Sequence, residues 1–157
     1  MSRQITLTWP EVQQAAIVGV LRQSSNLEGK LEHKYNADPD RGWDYHITGA
    51  LGELAVAKSF GIFWSGSIDN FLAADVGHLQ VRATPGDRNR LTLHPKDGDG
   101  QRWILVTGRP PQYTIHGWVF GHEGKRQEYW EDPTRKNRPC YFVPQHVLRD
   151  IETVLIP

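Results

Sequence analysis

Sulfur is what this sequence has least of: one cysteine and one methionine in 157 residues. With Cys140 as the only thiol, no internal disulfide and no thiolate metal pair can form. Cys140 is expected to be a small core residue beside Tyr141 and Phe142. An excess of charge of one sign is also missing. Eighteen Lys and Arg balance eighteen Asp and Glu, so no global field draws the chain to nucleic acid, and any basic face has to be local. Long apolar runs are absent. Pieces such as Trp103-Ile104-Leu105-Val106 fall far short of the roughly 18 residues that a membrane span needs. The opening MSRQITLTWP has no apolar signal segment, so a cytoplasmic location is expected. Glycine-rich phosphate loops, a GxSxG elbow and paired zinc ligands do not occur.

What is present suffices for one domain. The chain is 38% apolar and carries six Trp, five Tyr and five Phe, and a chain of this length buries roughly two-thirds of its unfolded surface. Thr8, Pro10 and Glu11 have the spacing of a capping box with proline in the first turn, which predicts a first helix from Thr8 to about Leu31. Tyr35 to Gly42, YNADPDRG, reads as a loop. Ile47, Ala50, Leu51, Leu54 and Ala55 form the stripe of a second helix over about Asp44 to Phe60, stopped by Gly61.

Beyond Gly61 the pattern turns to short extended pieces. Strands are expected near Asn70–Ala73, His78–Thr84, Arg90–His94, Arg102–Thr107, Thr114–Phe120, Gln127–Trp130 and Tyr141–Val143. Turns are expected at Asp97–Gly100 and Gly108–Pro111, a hairpin at Gly121–Gly124, and a short last helix ending near Leu155. Trp103–Thr107 is apolar or β-branched throughout, as suits a central strand covered on both faces. The order helices, sheet, helix predicts an α+β layout, with helices at about 8–60, a mixed sheet at about 62–143 and a closing helix at about 145–155.

Two local features carry chemistry. From Ile47 to Phe60 the only charged residues are Glu53 and Lys58. Lys58 lies near the helix end and can reach solvent. Glu53 is mid-helix among Gly49, Val56, Ala57 and Phe60, where a carboxylate is costly unless paired, protonated or metal-bound; the alternative is a surface acid on a helix edge. Gly49 and Gly52 allow another backbone to approach. In Ala74-Asp75-Val76-Gly77-His78-Leu79-Gln80-Val81-Arg82, Asp75 and Gly77 suggest a turn. The strand after it alternates, with Leu79, Val81 and Ala83 on one face and Gln80 and Arg82 on the other; on its own it also fits an edge strand with a solvated polar face.

Taken together, a helical acid, an acid at a turn and two alternating polar residues on a strand resemble the PD-(D/E)XK nuclease superfamily. The matching stretch runs from GALGELAVAKSFG to ADVGHLQVRAT. WILVTGRPPQYTIHGWVFG also resembles small phage-encoded proteins of uncharacterised role. The resemblance implies a restriction-endonuclease-like single domain and a nuclease that hydrolyses phosphodiester bonds in DNA with Mg²⁺ or Mn²⁺. It implies Glu53, Asp75 and Gln80 as metal ligands, with the Val81 carbonyl as a backbone ligand, and Arg82 in the lysine position. Two departures matter physically. Neutral Gln80 weakens cation binding, and Arg82 stays protonated, so it can clamp a phosphate but cannot serve as a base. The alternative reading is therefore a catalytically inactive nuclease-fold protein that binds nucleic acid or a protein partner, as a phage accessory or counter-defence factor. A third is an interaction protein in which these residues are surface polars.

Lower-ranked candidates are Lys96 as a replacement ammonium and Arg88, Arg90, Arg102 and Arg109 as a basic rim for a phosphate backbone; solvated loop charge explains the rim equally well. Asp44 and His46 lie one turn apart if that segment is helical, but Tyr45 and His46 read as packing or substrate-contact residues rather than a metal pair, and His116 and His122 as structural.

Overall fold

The computed structural model describes residues 1–29, 41–68 and 74–156. Of the loop expected at Tyr35–Gly42, residues 35–40 lie outside them, as does the strand expected at Asn70–Ala73, while Gly42 already begins a helix.

Helix α1 spans Trp9–Glu28. The capping box forms as expected: Glu11 N–H donates to the Thr8 hydroxyl at 3.4 Å, and Thr8 N–H to the Glu11 carboxylate at 2.7 Å. The helix stops at Glu28 rather than near Leu31, because Gly29 follows and caps it by donating to the Ser25 carbonyl. Helix α2 spans Gly42–Phe60 and ends on Gly61 at φ 65°, the left-handed stop expected of glycine.

The strand β1, Arg3–Thr6, was not foreseen from its short alternation. It forms only because β5, Gln112–Phe120, offers an antiparallel partner, with Ile5 opposite Tyr113. β2, Leu79–Thr84, runs parallel to β4, Arg102–Arg109, and β4 is antiparallel to β5. The order β1-β5-β4-β2 leaves β2 at an edge. A smaller antiparallel sheet has the order β3-β7-β6, built from Leu91–Leu93, Cys140–Val143 and Trp130–Glu131.

β4 is covered on both faces, as its composition implied. Ile104 and Val106 join Leu51, Ala55, Val81 and Ile115 under the helices. Trp103 and Leu105 join Leu91, Leu93, Val119 and Val143 against the smaller sheet. Cys140 is a buried core residue.

Three expected elements come out differently. Gly121–Gly124 is a one-turn helix, α3, whose start is fixed by the Glu123 carboxylate accepting from Phe120 N–H at 3.2 Å. Gln127–Tyr129 is a 3₁₀ turn leading into β6. The closing helix is two 3₁₀ turns, Gln145–Val147 and Ile151–Thr153, separated where Arg149 exchanges backbone hydrogen bonds with Trp118 of β5 at 2.8 and 3.1 Å instead of continuing a helix. The result is one α+β domain with a mixed sheet flanked by helices. No helix among the described residues is long and apolar enough to cross a membrane.

Candidate functional site at the free edge of β2

The turn before β2 sets the site. Val76 and Leu79 exchange backbone hydrogen bonds at 3.1 and 2.8 Å, and Gly77 turns the chain at φ 57°. The turn presses Asp75 against the free edge of β2, where its Oδ2 accepts from Val81 N–H at 2.7 Å. The other oxygen has no hydrogen bond among the described residues. In a strand the N–H and C=O of one residue leave on the same edge, so the Val81 carbonyl leaves on the side of Asp75.

The two faces of β2 divide as the alternation predicted. Leu79 and Val81 are in the core under the helices, with Ala83 packed against it. There α2 comes close: a Cβ on Gly52 would stand 2.3 Å from Ala83 Cβ. Gly49, by contrast, faces nothing within 4 Å among the described residues, so only one of the two glycines serves a close approach. On the other face, the Arg82 guanidinium lies 4.4 Å from the Trp103 ring centroid. It donates to the Thr92 carbonyl at 3.2 Å and to Asp97 Oδ2 at 2.9 Å. Asp97 is itself buried and accepts from His94 N–H at 2.8 Å. Gln80 is half-buried, and its amide has no hydrogen bond among the described residues.

Glu53 is buried, at 6% exposure, which rules out the surface-acid reading. Its cost is met by pairing. Arg22 of α1 grips it in two-point geometry, Nη1 to Oε1 at 2.7 Å and Nη2 to Oε2 at 2.9 Å. The Trp64 indole N–H donates to Oε2 at 3.0 Å, and Arg22 Nε donates to the Ser67 carbonyl at 2.8 Å. Sequence reasoning missed Arg22 and Trp64. A signal for Arg22 existed: it is the only charged residue between Val12 and Leu27, one lone cation on a helix adjacent to one lone anion.

Asp75 feels the charges of Glu53, Arg82 and Arg22. Burial, and then the charge of Glu53, push the Asp75 carboxyl up to about 6, against the pull of Val81 N–H, Arg82 and Arg22. Burial, and then the Arg82 charge, push His94 down to about 4, which keeps its imidazole neutral beside Arg82.

Among the described residues no group of three or more His, Cys, Asp or Glu converges as a metal cluster. The expected donors are all oxygens, the kind a hard cation takes, but Gln80 lies on the face of β2 away from α2 and Glu53, and only Asp75 and the Val81 carbonyl share one edge. The Asp75 oxygen that is unbonded among the described residues could serve that use. Glu53 fits it only if Arg22 yields, since both of its oxygens are engaged.

The expected basic rim does not assemble. Arg90 pairs with Glu131 at 2.7 and 2.8 Å and covers Phe142. Arg102 lies over Phe120 with Nε buried and unbonded among the described residues. Arg109 lines a cleft of about 560 Å³ at the β4–β5 hairpin, which none of Glu53, Asp75, Gln80 or Arg82 lines. Arg88 is exposed in the turn before β3. Lys96 is exposed one residue from Asp97, with no ion pair among the described residues. The ammonium that ties down that loop is Lys125, bonded to the carbonyls of Pro95 and Asp97 and, at 2.7 Å, to Asp99 Oδ1.

A different basic feature is present. The β6–β7 connection carries Arg135, Lys136 and Arg138, none with an ion pair among the described residues. β7 pairs with β3 so that Tyr141 faces Leu93, which sets this tip beside the His94–Asp97 end of β3. Arg138, Asp97 and Arg82 all reach the Cys140 thiol electrostatically, whose pKa burial raises.

The remaining candidates are structural. His116 meets the Thr107 hydroxyl at 2.7 Å, and His122 stacks on Phe120. His46 Nε2 faces Asn26 at 2.9 Å while Asp44 is exposed towards Arg41, so these two do not form a pair. Lys58 donates to Thr6 O and Glu11 at 3.0 and 2.7 Å, tying α2 to β1 and α1 instead of reaching solvent. No family model, no curated protein and no solved structure matches the chain.

Proposed function

We propose that the protein is a divalent-metal-dependent nuclease that hydrolyses phosphodiester bonds in DNA on a restriction-endonuclease-like domain, with Mg²⁺ or Mn²⁺ as its cation. The observation that carries this reading is the position of Asp75 at the β2 edge, with one oxygen unbonded among the described residues and the charges of Glu53, Arg22 and Arg82 within electrostatic reach. Asp75 would hold the cation with the Val81 carbonyl. A bound cation neutralises charge on the reacting phosphate and lowers the pKa of a coordinated water.

The chain's own residues have separate tasks. Val81 N–H fixes one Asp75 oxygen and thereby aims the other. Asp97, the Thr92 carbonyl and the Trp103 ring hold Arg82 still, so its guanidinium is a fixed cation whose charge Asp75 feels, suited to bind a phosphate oxygen. Arg82 does not accept a proton. The β6–β7 tip supplies the local positive charge that a polyanionic substrate needs in a chain of zero net charge.

One observation favours a second reading, a catalytically inactive member of this fold that binds nucleic acid or protein. Arg22 and Trp64 together occupy both oxygens of Glu53, and an arginine stands where a lysine would orient water. Both readings meet one experiment: cleavage of supercoiled plasmid, single-stranded DNA and RNA with Mg²⁺, Mn²⁺ or EDTA, comparing the parent with Asp75→Ala. Cation-dependent cutting lost in Asp75→Ala is expected. Cutting that survives Asp75→Ala removes Asp75 from the site, and no cutting of any substrate selects the binding protein.

A further inference from the structure

Helix α1 has two faces, and the outer one has the wrong composition for a helix that meets only water. The inner face is committed. Ala15, Gly19 and Gln23 are buried, and a Cβ on Gly19 would stand 2.5 Å from the Ile47 Cα of α2. A surface helix normally carries charged and polar residues opposite its buried stripe. Here the only charged residue between Val12 and Leu27 is Arg22, and it is turned inward onto Glu53. The outward positions hold Ile17, Val20, Leu21 and Leu27. All four are exposed, Ile17 and Leu27 at 58% and 53%. Four large apolar side chains on about three turns of one helix form a patch, not scattered exposure.

The spacing of this face suits another helix. Gln13, Ile17, Val20, Ser24 and Leu27 follow one another at intervals of four, three, four and three. At that spacing one helix packs along another with interdigitating side chains. The partner has to match an uncharged seam. A membrane surface fits poorly, because helices that lie on lipid carry Lys and Arg beside their apolar stripe, and this face of α1 has neither. A strongly acidic or basic partner finds no counter-charge here. A second copy of the same helix does match. Two uncharged faces meet without like-charge repulsion, and a two-fold axis makes the patch its own complement.

We propose that two copies of the chain associate through the outer faces of α1, packed along one another about a two-fold axis near Val20, the middle of the seam. α1 has 20 residues and is therefore about 30 Å long. A contact of that length covers less than the roughly 800 Å² per partner of a standard interface. The dimer is accordingly weak and concentration-dependent, with Kd on the order of 10 µM. The pairing is independent of any chemistry at β2.

Sedimentation equilibrium on the full chain, from about 1 to about 500 µM, tests the pairing. The samples are the parent, Val20→Glu, Val20→Lys and an equal mixture of the two variants. Val20 is exposed, and Glu and Lys both favour a helix, so the variants fold. The parent should pass from one chain mass towards two as concentration rises. Each variant brings like charges together at the axis and should associate at least about tenfold more weakly. The equal mixture sets Glu against Lys and should associate more strongly than either variant alone. A parent that stays monomeric at the highest concentration overturns the proposal. So does association as strong in both variants as in the parent, which places the interface on another face. A mixture that associates no better than its components overturns the two-fold contact at Val20.

Discussion

At the scale of single residues, Asp75 is the group whose environment is least comfortable. Its carboxyl keeps a proton up to about pH 6 in the fold, against 3.8 when unperturbed. Between those values the folded state binds more protons than the unfolded chain, so this group lowers stability as pH rises from about 4 to 6. Above 6 the full penalty persists, at most about 3 kcal/mol from the size of the shift. Asp75→Asn keeps an oxygen for Val81 N–H and removes the charge. Its melting temperature should exceed the parent's by about 4 to 10 °C at pH 7.5 and match it near pH 4, as scanning calorimetry across pH would read. A variant no more stable than the parent at pH 7.5 would mean that Asp75 is solvated. An acid kept at a cost where an amide is more comfortable fits a functional site rather than a structural one.

At the scale of elements, the contact between α2 and β2 decides how close Glu53 comes to the strand. Gly52 and Gly49 lie on the same helix, but only Gly52 faces the sheet within van der Waals reach. Gly52→Ala would force a methyl to 2.3 Å from Ala83 Cβ, a carbon fixed to the backbone that cannot swing away. The overpacking cost of about 1 to 3 kcal/mol outweighs the helix-propensity gain of up to about 1 kcal/mol. Gly49→Ala collects the gain without the clash. Denaturant titration should therefore show Gly52→Ala destabilised by about 1 to 2 kcal/mol and Gly49→Ala stabilised by up to about 1 kcal/mol. Equal effects at the two positions would mean that α2 does not seat on β2 through Gly52.

At the scale of the whole molecule, neutrality conceals an uneven distribution of charge. Many cations are committed to carboxylates, among them Arg22, Arg82, Arg90 and Lys125. Arg135, Lys136 and Arg138 are free of such pairs among the described residues. If this tip meets a phosphate backbone, changing all three to Gln should weaken DNA binding at low salt. The slope of log affinity against log salt should fall by about 2 to 3, near 0.9 per lost contact with duplex DNA. Fluorescence anisotropy over a salt series checks this, and an unchanged slope would place the nucleic-acid face elsewhere. Because none of the three holds an ion pair, the melting temperature should stay within about 1 °C of the parent's.

By itself, the sequence determined the elements with strong local signals and the chemistry of the candidate site. The capping box at Thr8, the stop at Gly61, the doubly covered β4 and the alternation of β2 are short-range patterns, and short-range physics suffices to form them. The cost of Glu53 was also legible, since a lone acid in an apolar stretch needs a partner wherever it folds. Tertiary structure alone decided which partner. Arg22 and Glu53 are 31 positions apart, and only the packing of α1 on α2 brings them together. The same holds for β1, which exists because β5 offers a partner, and for Arg82, whose hold on Asp97 depends on how the smaller sheet sits under Trp103. The basic tip replaced the expected rim for a related reason: whether a cation is free depends on which carboxylates folding brings within reach, and no spacing along the chain encodes that.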